Sequence, residues 1–247
     1  MNNDILIIGE SCRDIFVYCD CTRLCPDIPV PALKVIFQKE NEGMAKNVQR
    51  NIVSLKGNCD ILTNSNWANV TKTRYMHEQT NHMFMRVDTD HNIDPLDKSL
   101  LKYNYNLIVI SDYNKGFLSE SDIELICSNH QNVFLDTKKK LGSWAKKAKF
   151  IKINNFEYQR SKQNLDDELE SKIICTKGGD GCVYNGKIYS TKRIEVRDTS
   201  GCGDTFLAGL VVEYNKSQNI ENSINFANRC ASEVAQHRGV TTVNLND

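Results

Sequence analysis

The sequence predicts an α/β fold built on a largely parallel sheet. Helical patterns, among them 43–56 and 119–129, separate several short apolar segments. Alternation of buried strands with helices is typical of a parallel sheet that carries helices on its faces. The five segments that read as buried strands are DILIIG (4–9), NLIVIS (106–111), NVFLD (132–136), KFIKI (149–153) and KIICT (172–176).

Composition and charge narrow the class of protein. The 247 residues are 40% hydrophobic and 25% charged, as in ordinary globular domains, and we expect one domain over 1–247. The formal net charge is zero, so no global field favours nucleic acid or a membrane surface as a partner. Without an apolar span or signal-like N-terminus, a cytoplasmic location is expected. The ten cysteines lack C-x-x-C spacing, which favours reduced thiols over zinc ligands or disulfides.

Polar side chains follow the predicted strands. The carboxyl ends of parallel strands meet at one edge of a sheet, where ligands of such folds bind. Asp112, Asp136, Asn154 and Thr176 stand at these ends, and Asp14 comes shortly after the first strand. The sequence therefore places a polar site along this edge.

Two stretches, about 14–38 and 72–90, do not fit the parallel layer. Both read as extended, and residues 83–88 alternate apolar and polar side chains. Pro29 and Pro31 suit an edge strand or a turn. We expect these stretches to form a small β-lid beside the main sheet.

A glycine-rich turn precedes an apolar helix in DTSGCGDTFLAGLVVEY (198–214). Apolar residues recur at helical spacing after Asp204, so a helix is predicted to begin near that residue. A helix N-terminus carries unpaired N–H groups and a partial positive charge, which suit an anion. An acid at this place either caps the helix or takes a proton from a hydroxyl that attacks a phosphate. Spacing alone leaves both interpretations open.

The motif DTSGCGDTF resembles the C-terminal signature of the ribokinase-like (PfkB) sugar kinases. Further stretches resemble one branch of that family, the bacterial D-glycero-D-manno-heptose 7-phosphate kinases of ADP-heptose biosynthesis. The match runs nearly end to end, and it implies a three-layer α/β/α fold with a small β-lid. The stretches are GESCRDIFVYCDCTRLCPDIPVPALKV (9–35), NVQRNIVSLKG (47–57), TKTRYM, FMRVD, SDYNKG (111–116), DTKK (136–139), NNFE (154–157), TKGGDG (176–181), FANRCAS and HRGVTTV.

The resemblance implies an enzyme that transfers the γ-phosphoryl group of ATP to a sugar hydroxyl. By motif, Asp204 is the base, and the backbone of Gly201, Cys202 and Gly203 forms the anion hole. A helix terminus is expected to lower the pKa of Asp204 and weaken it as a base. Proton removal late in a loose transition state tolerates a weak base. The implied cofactors are ATP and Mg²⁺, and the need for a monovalent cation stays open.

On the nucleotide side, the resemblance assigns Asn154 and Glu157 to Mg²⁺, which they would contact through its waters. It assigns Thr176, Gly178 and Gly181 to the phosphates and Asn228 to the adenine side. An ordinary helix position is the alternative role for Glu157.

On the sugar side, the resemblance assigns Asp14 to sugar hydroxyls and Gly43, Asn47 and Asp112 to the acceptor pocket. Met44 and Lys46 stand where the family usually has Gly and Ala, and both changes are expected to alter this pocket. A phosphate on the substrate would meet a cluster of cations, since charge-assisted hydrogen bonds are strong. The cations are Arg74, Arg86, Lys115 and Lys46; the alternative is that they face solvent or pair with Asp88 and Asp90.

The predicted substrate is a heptose 7-phosphate or a similar sugar phosphate, and a homodimer is expected to form through the lid. Two alternatives stay open: a kinase of another sugar or of a nucleoside, and a degenerate member that binds nucleotide or sugar as a regulator. The intact Gly201, Gly203 and Asp204 favour catalysis, whereas Met44 and Lys46 keep the second alternative open.

Overall fold

The apolar segments of the sequence form strands in the computed structural model, which describes residues 4–89 and 92–244. The helices within these residues are α1 (Ala45–Ser54), α2 (Glu120–Asn129), α3 (Asn155–Ser161), α4 (Asp167–Glu170), α5 (Cys202–Ser217) and α6 (Ile220–Val234). The strands are β1 (Ile5–Gly9), β2 (Ser11–Asp20), β3 (Lys34–Met44), β4 (Cys59–Leu62), β5 (Thr71–His77), β6 (Met83–Asp88), β7 (Leu107–Asp112), β8 (Val133–Thr137), β9 (Phe150–Asn154), β10 (Ile173–Thr176), β11 (Cys182–Tyr184) and β12 (Lys187–Tyr189).

Eight strands form the main sheet, in the order β12-β11-β10-β9-β8-β7-β1-β4. The strands from β10 to β4 run parallel to one another, and β11 and β12 add an antiparallel edge. The five strands predicted from the sequence are β1, β7, β8, β9 and β10, each within one residue of its expected start, so the prediction of a mainly parallel sheet is confirmed.

Helices cover both faces of the main sheet. Successive side chains of a strand point to opposite faces, so neighbouring residues enter different cores. Ile8 and Ile110 pack in the core that contains α2 and α4, whereas Ile7 and Val109 pack in the core that contains α1, α5 and α6. The predicted three-layer α/β/α arrangement is confirmed.

A second, four-stranded sheet has the order β3-β2-β5-β6. It takes its strands from the two extended stretches that did not fit the parallel layer. The strands extend beyond the predicted bounds, since β2 begins at Ser11 and β3 continues to Met44. Asp90, the last residue of the predicted lid, lies outside the described residues.

The helix predicted near Asp204 is α5. It begins at Cys202, and its N-cap Gly201 has a φ of 79°, a left-handed conformation that favours glycine. Across the described residues, no helix combines the length and the apolar character that a membrane crossing needs.

Candidate active site

Asp204 lies in the first turn of α5 and is 7% exposed. Its Oδ2 accepts a hydrogen bond from Asn47 Nδ2 at 2.9 Å, and its Oδ1 accepts one from the Tyr113 hydroxyl at 2.5 Å. Asn47 belongs to α1, and Tyr113 follows β7. Three separate parts of the chain therefore fix the position of one carboxylate.

These hydrogen bonds test the interpretation of Asp204 as the N-cap of α5. An N-capping side chain accepts from backbone N–H groups of its own helix. The N-cap of α5 is Gly201, and the Asp204 oxygens accept from side chains of other elements. The interpretation of Asp204 as a helix cap is wrong.

Burial raises the pKa of Asp204 above its ordinary value. The hydrogen bonds from Asn47 and Tyr113 act in the opposite direction, but the net change in the pKa is upward. The expectation that the helix terminus would lower this pKa is therefore wrong, because desolvation of the carboxylate outweighs the groups that stabilise its charge. A carboxylate with a raised pKa is a stronger base.

The loop after β7 is held in place by Glu10, a fully buried residue between β1 and β2. Its carboxylate accepts hydrogen bonds from the backbone N–H groups of Tyr113 at 2.7 Å and Lys115 at 2.9 Å. This contact holds the backbone of Tyr113, whose hydroxyl reaches Asp204. Neither Glu10 nor Tyr113 was predicted as a site residue, although the SDYNKG motif contains the tyrosine.

A cavity of about 70 Å³ lies in front of Asp204. It brings together several residues that were predicted to bind the sugar or the transferring phosphate: Asp14, Gly43, Asn47, Arg74 and Gly201. The remaining lining residues are Cys12, Met44, Lys72, Tyr113 and Val240. The second sheet and the N-terminus of α5 thus enclose one small space.

Two cations line this cavity. Arg74 Nε donates to Asp14 Oδ1 at 2.8 Å, and Arg74 Nη2 donates to Asp14 Oδ2 at 3.3 Å, which makes a two-point ion pair. Lys72 is 8% exposed, and its Nζ lies 5.0 Å from the centre of the Tyr113 ring. Lys72 was not predicted as a site residue, although it lies in the TKTRYM stretch.

Arg86 lies opposite Arg74 in the register of β5 and β6, but the four predicted cations do not all line the cavity. Arg86 pairs with Asp88 through contacts of 2.8 and 2.9 Å, one of the two pairings considered from the sequence. Lys46 pairs with Glu42 at 2.7 Å. The side chain of Lys115 is exposed. Of the four, Arg74 lines the cavity.

Asp112 is buried and stands outside the lining of the cavity. Its carboxylate accepts hydrogen bonds from Lys139 Nζ at 2.9 Å, from the Asn114 N–H at 3.1 Å and from the Thr137 hydroxyl. These contacts join the end of β7 to the end of β8. Through these contacts, Asp112 stabilises the conformation of the loop that contains Tyr113.

A groove of about 440 Å³ lies where the neighbouring strands β9 and β10 end. Its lining brings together three residues that were predicted to bind the nucleotide: Asn154, Thr176 and Gly178. Gly178 has a φ of 58° in the turn after β10, a conformation that favours glycine.

Two further residues of the predicted nucleotide site lie outside the groove lining. At Gly181 the φ is 85°, and an added Cβ would lie 2.0 Å from the Tyr189 carbonyl oxygen, so this position requires glycine. Asn228 is buried in α6, and its Nδ2 donates to the same Tyr189 carbonyl at 2.9 Å. Both residues contact the end of β12.

A chain of ion pairs lies between the groove and α5. Lys152 Nζ is 2.7 Å from Asp136 Oδ2, and Lys138 Nζ is 2.6 Å from Glu157 Oε1 and 3.8 Å from Asp136 Oδ1. Lys152 also approaches Gly203, where an added Cβ would lie 3.1 Å from Nζ. The chain of four charges therefore runs from the groove side to the N-terminus of α5. Lys138 and Lys152 were not predicted as site residues.

Glu157 belongs to a capping box of α3. Its backbone N–H donates to Asn154 Oδ1 at 2.9 Å, and its Oε2 accepts from the Asn154 N–H at 2.8 Å. The local sequence NNFE therefore has a structural role in starting the helix.

The oxygen donors near Asn154 suit a hydrated cation. Throughout 4–89 and 92–244, no group of three or more His, Cys, Asp or Glu residues could hold a metal ion. Both Glu157 oxygens have protein partners, and Asp136 Oδ1 is buried without a hydrogen-bond partner. Mg²⁺ usually keeps several waters and takes few protein oxygens. These residues fit an ion that is contacted through water.

The curated proteins similar to this chain include bifunctional proteins named HldE. The bifunctional protein HldE of Helicobacter pylori (strain G27) is 27% identical over 303 residues, which cover 98% of this chain and 65% of the relative. The bifunctional protein HldE of Hydrogenovibrio crunogenus is 26% identical and covers 97% of this chain and 60% of the relative. The chain thus spans about two thirds or less of the length of these relatives.

Solved structures share the fold at low sequence identity. A ribokinase from Thermotoga maritima superposes with a TM-score of 0.73 at 15% identity, covering 97% of this chain and 95% of that one. Phosphofructokinase-2 from Escherichia coli, in complex with potassium, superposes with a TM-score of 0.72 at 11% identity. The match covers 98% of this chain and 96% of that one.

The sequence profile of the pfkB family carbohydrate kinases matches residues 117–247, more than half of the chain. The matched part includes Asp204, the glycine-rich turn before it and the strand ends that line the groove. The resemblance seen in the motifs is confirmed, and the chain belongs to the pfkB family of ATP-dependent carbohydrate kinases.

Proposed function

We propose that this sugar kinase transfers the γ-phosphoryl group of ATP to a hydroxyl of a phosphorylated sugar, with a heptose 7-phosphate as the first candidate. The position of Asp204 carries the proposal, because its carboxylate faces the cavity while its helix N-terminus can receive a phosphate. The HldE relatives support the heptose, and the kinase family supports the reaction.

In this proposal the acceptor hydroxyl lies in the cavity and gives its proton to Asp204. Asn47 and Tyr113 hold the carboxylate, and burial keeps its pKa raised, which favours proton transfer. The backbone N–H groups of Gly201 and Gly203 would meet the charge of the transferring phosphoryl group. The Cys202 N–H, which was expected to join them, donates to the Thr199 carbonyl at 3.2 Å instead. Lys152, beside Gly203, adds a fixed positive charge there.

The nucleotide would lie in the groove at the ends of β9 and β10. Gly178 allows the turn to approach the phosphates closely, and Asn154 and Thr176 offer polar groups beside it. Mg²⁺ would neutralise phosphate charge and orient the γ-phosphoryl group. Asp136, Lys138 and Glu157 would fix the water shell of the ion through their own ion pairs.

The second sheet would act as a lid over the acceptor. Asp14 would bind a sugar hydroxyl, and Lys72 and Arg74 would bind the phosphate that the sugar already carries. A kinase of a neutral sugar or a nucleoside is the second candidate. It is favoured by one observation: Arg86 and Lys46 are paired with acids instead of facing the cavity.

The outer face of the second sheet would form a homodimer. In β5 and β6, side chains alternate between the cavity face and the opposite face, and Met85 lies opposite Tyr75 on the latter. Exposed apolar side chains accumulate at this sheet and the loop before β3, and contiguous apolar patches mark interaction sites. They are Leu24, Ile28, Val30, Val35, Ile36, Phe37, Met83, Met85 and Val87.

The substitution Asp204→Asn should abolish turnover while ATP still binds. It keeps the shape of the side chain but removes the base, and loss of a general base typically costs about 10²–10⁴-fold in rate. A coupled assay of ADP release measures kcat, and calorimetry measures ATP affinity. Near-normal kcat in this variant would show that Asp204 is not the base.

The substitution Tyr113→Phe should shift the pH dependence of kcat/KM. The tyrosine hydroxyl lowers the pKa of Asp204, so its loss should raise that pKa further. The base works only when ionised, and the acidic limb of the profile should therefore move to higher pH. A limb that stays in place or moves to lower pH contradicts the assigned role of this hydrogen bond.

The substitution Arg74→Ala should raise KM for a sugar phosphate by about 10- to 100-fold, the loss expected for one hydrogen bond to a charged group. KM for ATP should stay nearly unchanged. Arg86→Ala is the matched control, because Arg86 pairs with Asp88 on the exposed surface. If the best acceptor is neutral and both variants keep the wild-type KM, the second candidate replaces the heptose phosphate.

Light scattering should give the mass of a dimer for the wild-type chain. The substitution Met85→Lys places a charge on the exposed apolar face and should give a monomer without loss of the fold. A wild-type chain that stays monomeric at assay concentrations would rule out the proposed interface.

A further inference from the structure

Met44 has a backbone conformation that favours glycine. Its φ is 59° and its ψ is −130°, close to the first central position of a type II′ turn, which glycine usually occupies. A long side chain in such a conformation is strained, and the conformation persists only where the surrounding structure imposes it.

The surroundings of Met44 impose this conformation. β3 ends at Met44 and α1 begins at Ala45, so the chain turns from strand to helix with no residue between them. Met44 is paired with Ser11 in the second sheet, and the Ala45 N–H donates to the Glu10 carbonyl at 2.9 Å. The corner is therefore fixed on both sides.

The side chain at this corner belongs to the wall of the acceptor cavity. Met44 is 3% exposed and packs in a small apolar cluster with Cys12, Val70 and Tyr113. Cys12 and Tyr113 line the cavity as well, and Tyr113 holds Asp204. The cavity of about 70 Å³ is small, so the side chains in its wall limit what it can admit.

We propose that Met44 determines the size of the acceptor, because its strained, buried side chain occupies space beside the hydroxyl-binding position that a glycine would leave open. This inference rests on the proposed function and makes it more specific. Met44 would exclude acceptors larger than a seven-carbon sugar phosphate. Selectivity conferred by the Met44 side chain would account for the strained backbone conformation at this residue.

Two variants at residue 44 distinguish the effect of the side chain from the effect of the backbone strain. Met44→Gly and Met44→Ala both remove the side chain beyond Cβ, but only glycine suits the backbone conformation. Met44→Gly should therefore unfold at a higher urea concentration than Met44→Ala. Equal midpoints would show that the conformation at residue 44 is not strained and would overturn that part of the inference.

The selectivity is tested by ADP release with six-, seven- and eight-carbon sugar phosphates as acceptors. Both variants should raise the ratio of kcat/KM for the largest acceptor to that for the smallest by at least about tenfold, since one methylene group in a pocket changes discrimination by roughly 10- to 200-fold. A purely structural role for Met44 would lower kcat/KM for all acceptors in parallel, and that result would overturn the inference.

The same assay separates this inference from the proposed function. If the wild type phosphorylates a member of the series and the ratio is unchanged in both variants, only the role of Met44 fails. If neither the wild type nor the variants phosphorylate any member, the proposal of a phosphorylated sugar fails and the role of Met44 fails with it.

Discussion

The position of the Asp204 carboxylate depends on two hydrogen bonds that cross the molecule. Asn47 belongs to α1, which follows strand β3 of the second sheet. Tyr113 belongs to the loop after β7, whose backbone donates hydrogen bonds to Glu10 and Asp112. Burial makes this charge costly, so each donor contributes to holding it in place. A shift of the second sheet, of the loop after β7 or of α5 would therefore reach Asp204 directly.

Charged side chains connect the groove at the strand ends with the N-terminus of α5. The ion pairs of Lys152, Asp136, Lys138 and Glu157 link the groove at the strand ends to the turn before Asp204. In a water-poor site such fixed charges act strongly on a transferring phosphoryl group and need no reorganisation during the reaction. The cavity in front of Asp204, by contrast, is small and bounded by the second sheet.

Much of this arrangement could be predicted from the sequence. The apolar strands, the glycine turn and the helix after it have strong local patterns, and the motif order identified the family. The partners of individual charges could not be predicted, because they depend on contacts between distant residues: Arg74 pairs with Asp14, whereas Arg86 pairs with a neighbour on its own strand. Burial of Asp204, which raises its pKa, also follows from packing that no local pattern reveals.

We propose that the site transfers phosphate to a sugar phosphate held in front of Asp204. Phosphorus NMR of a reaction containing ATP, Mg²⁺ and D-glycero-D-manno-heptose 7-phosphate tests this transfer. We expect a second phosphate-ester signal on the sugar that grows in step with ADP. Formation of ADP with inorganic phosphate alone, or no consumption of ATP with any sugar phosphate, would contradict it.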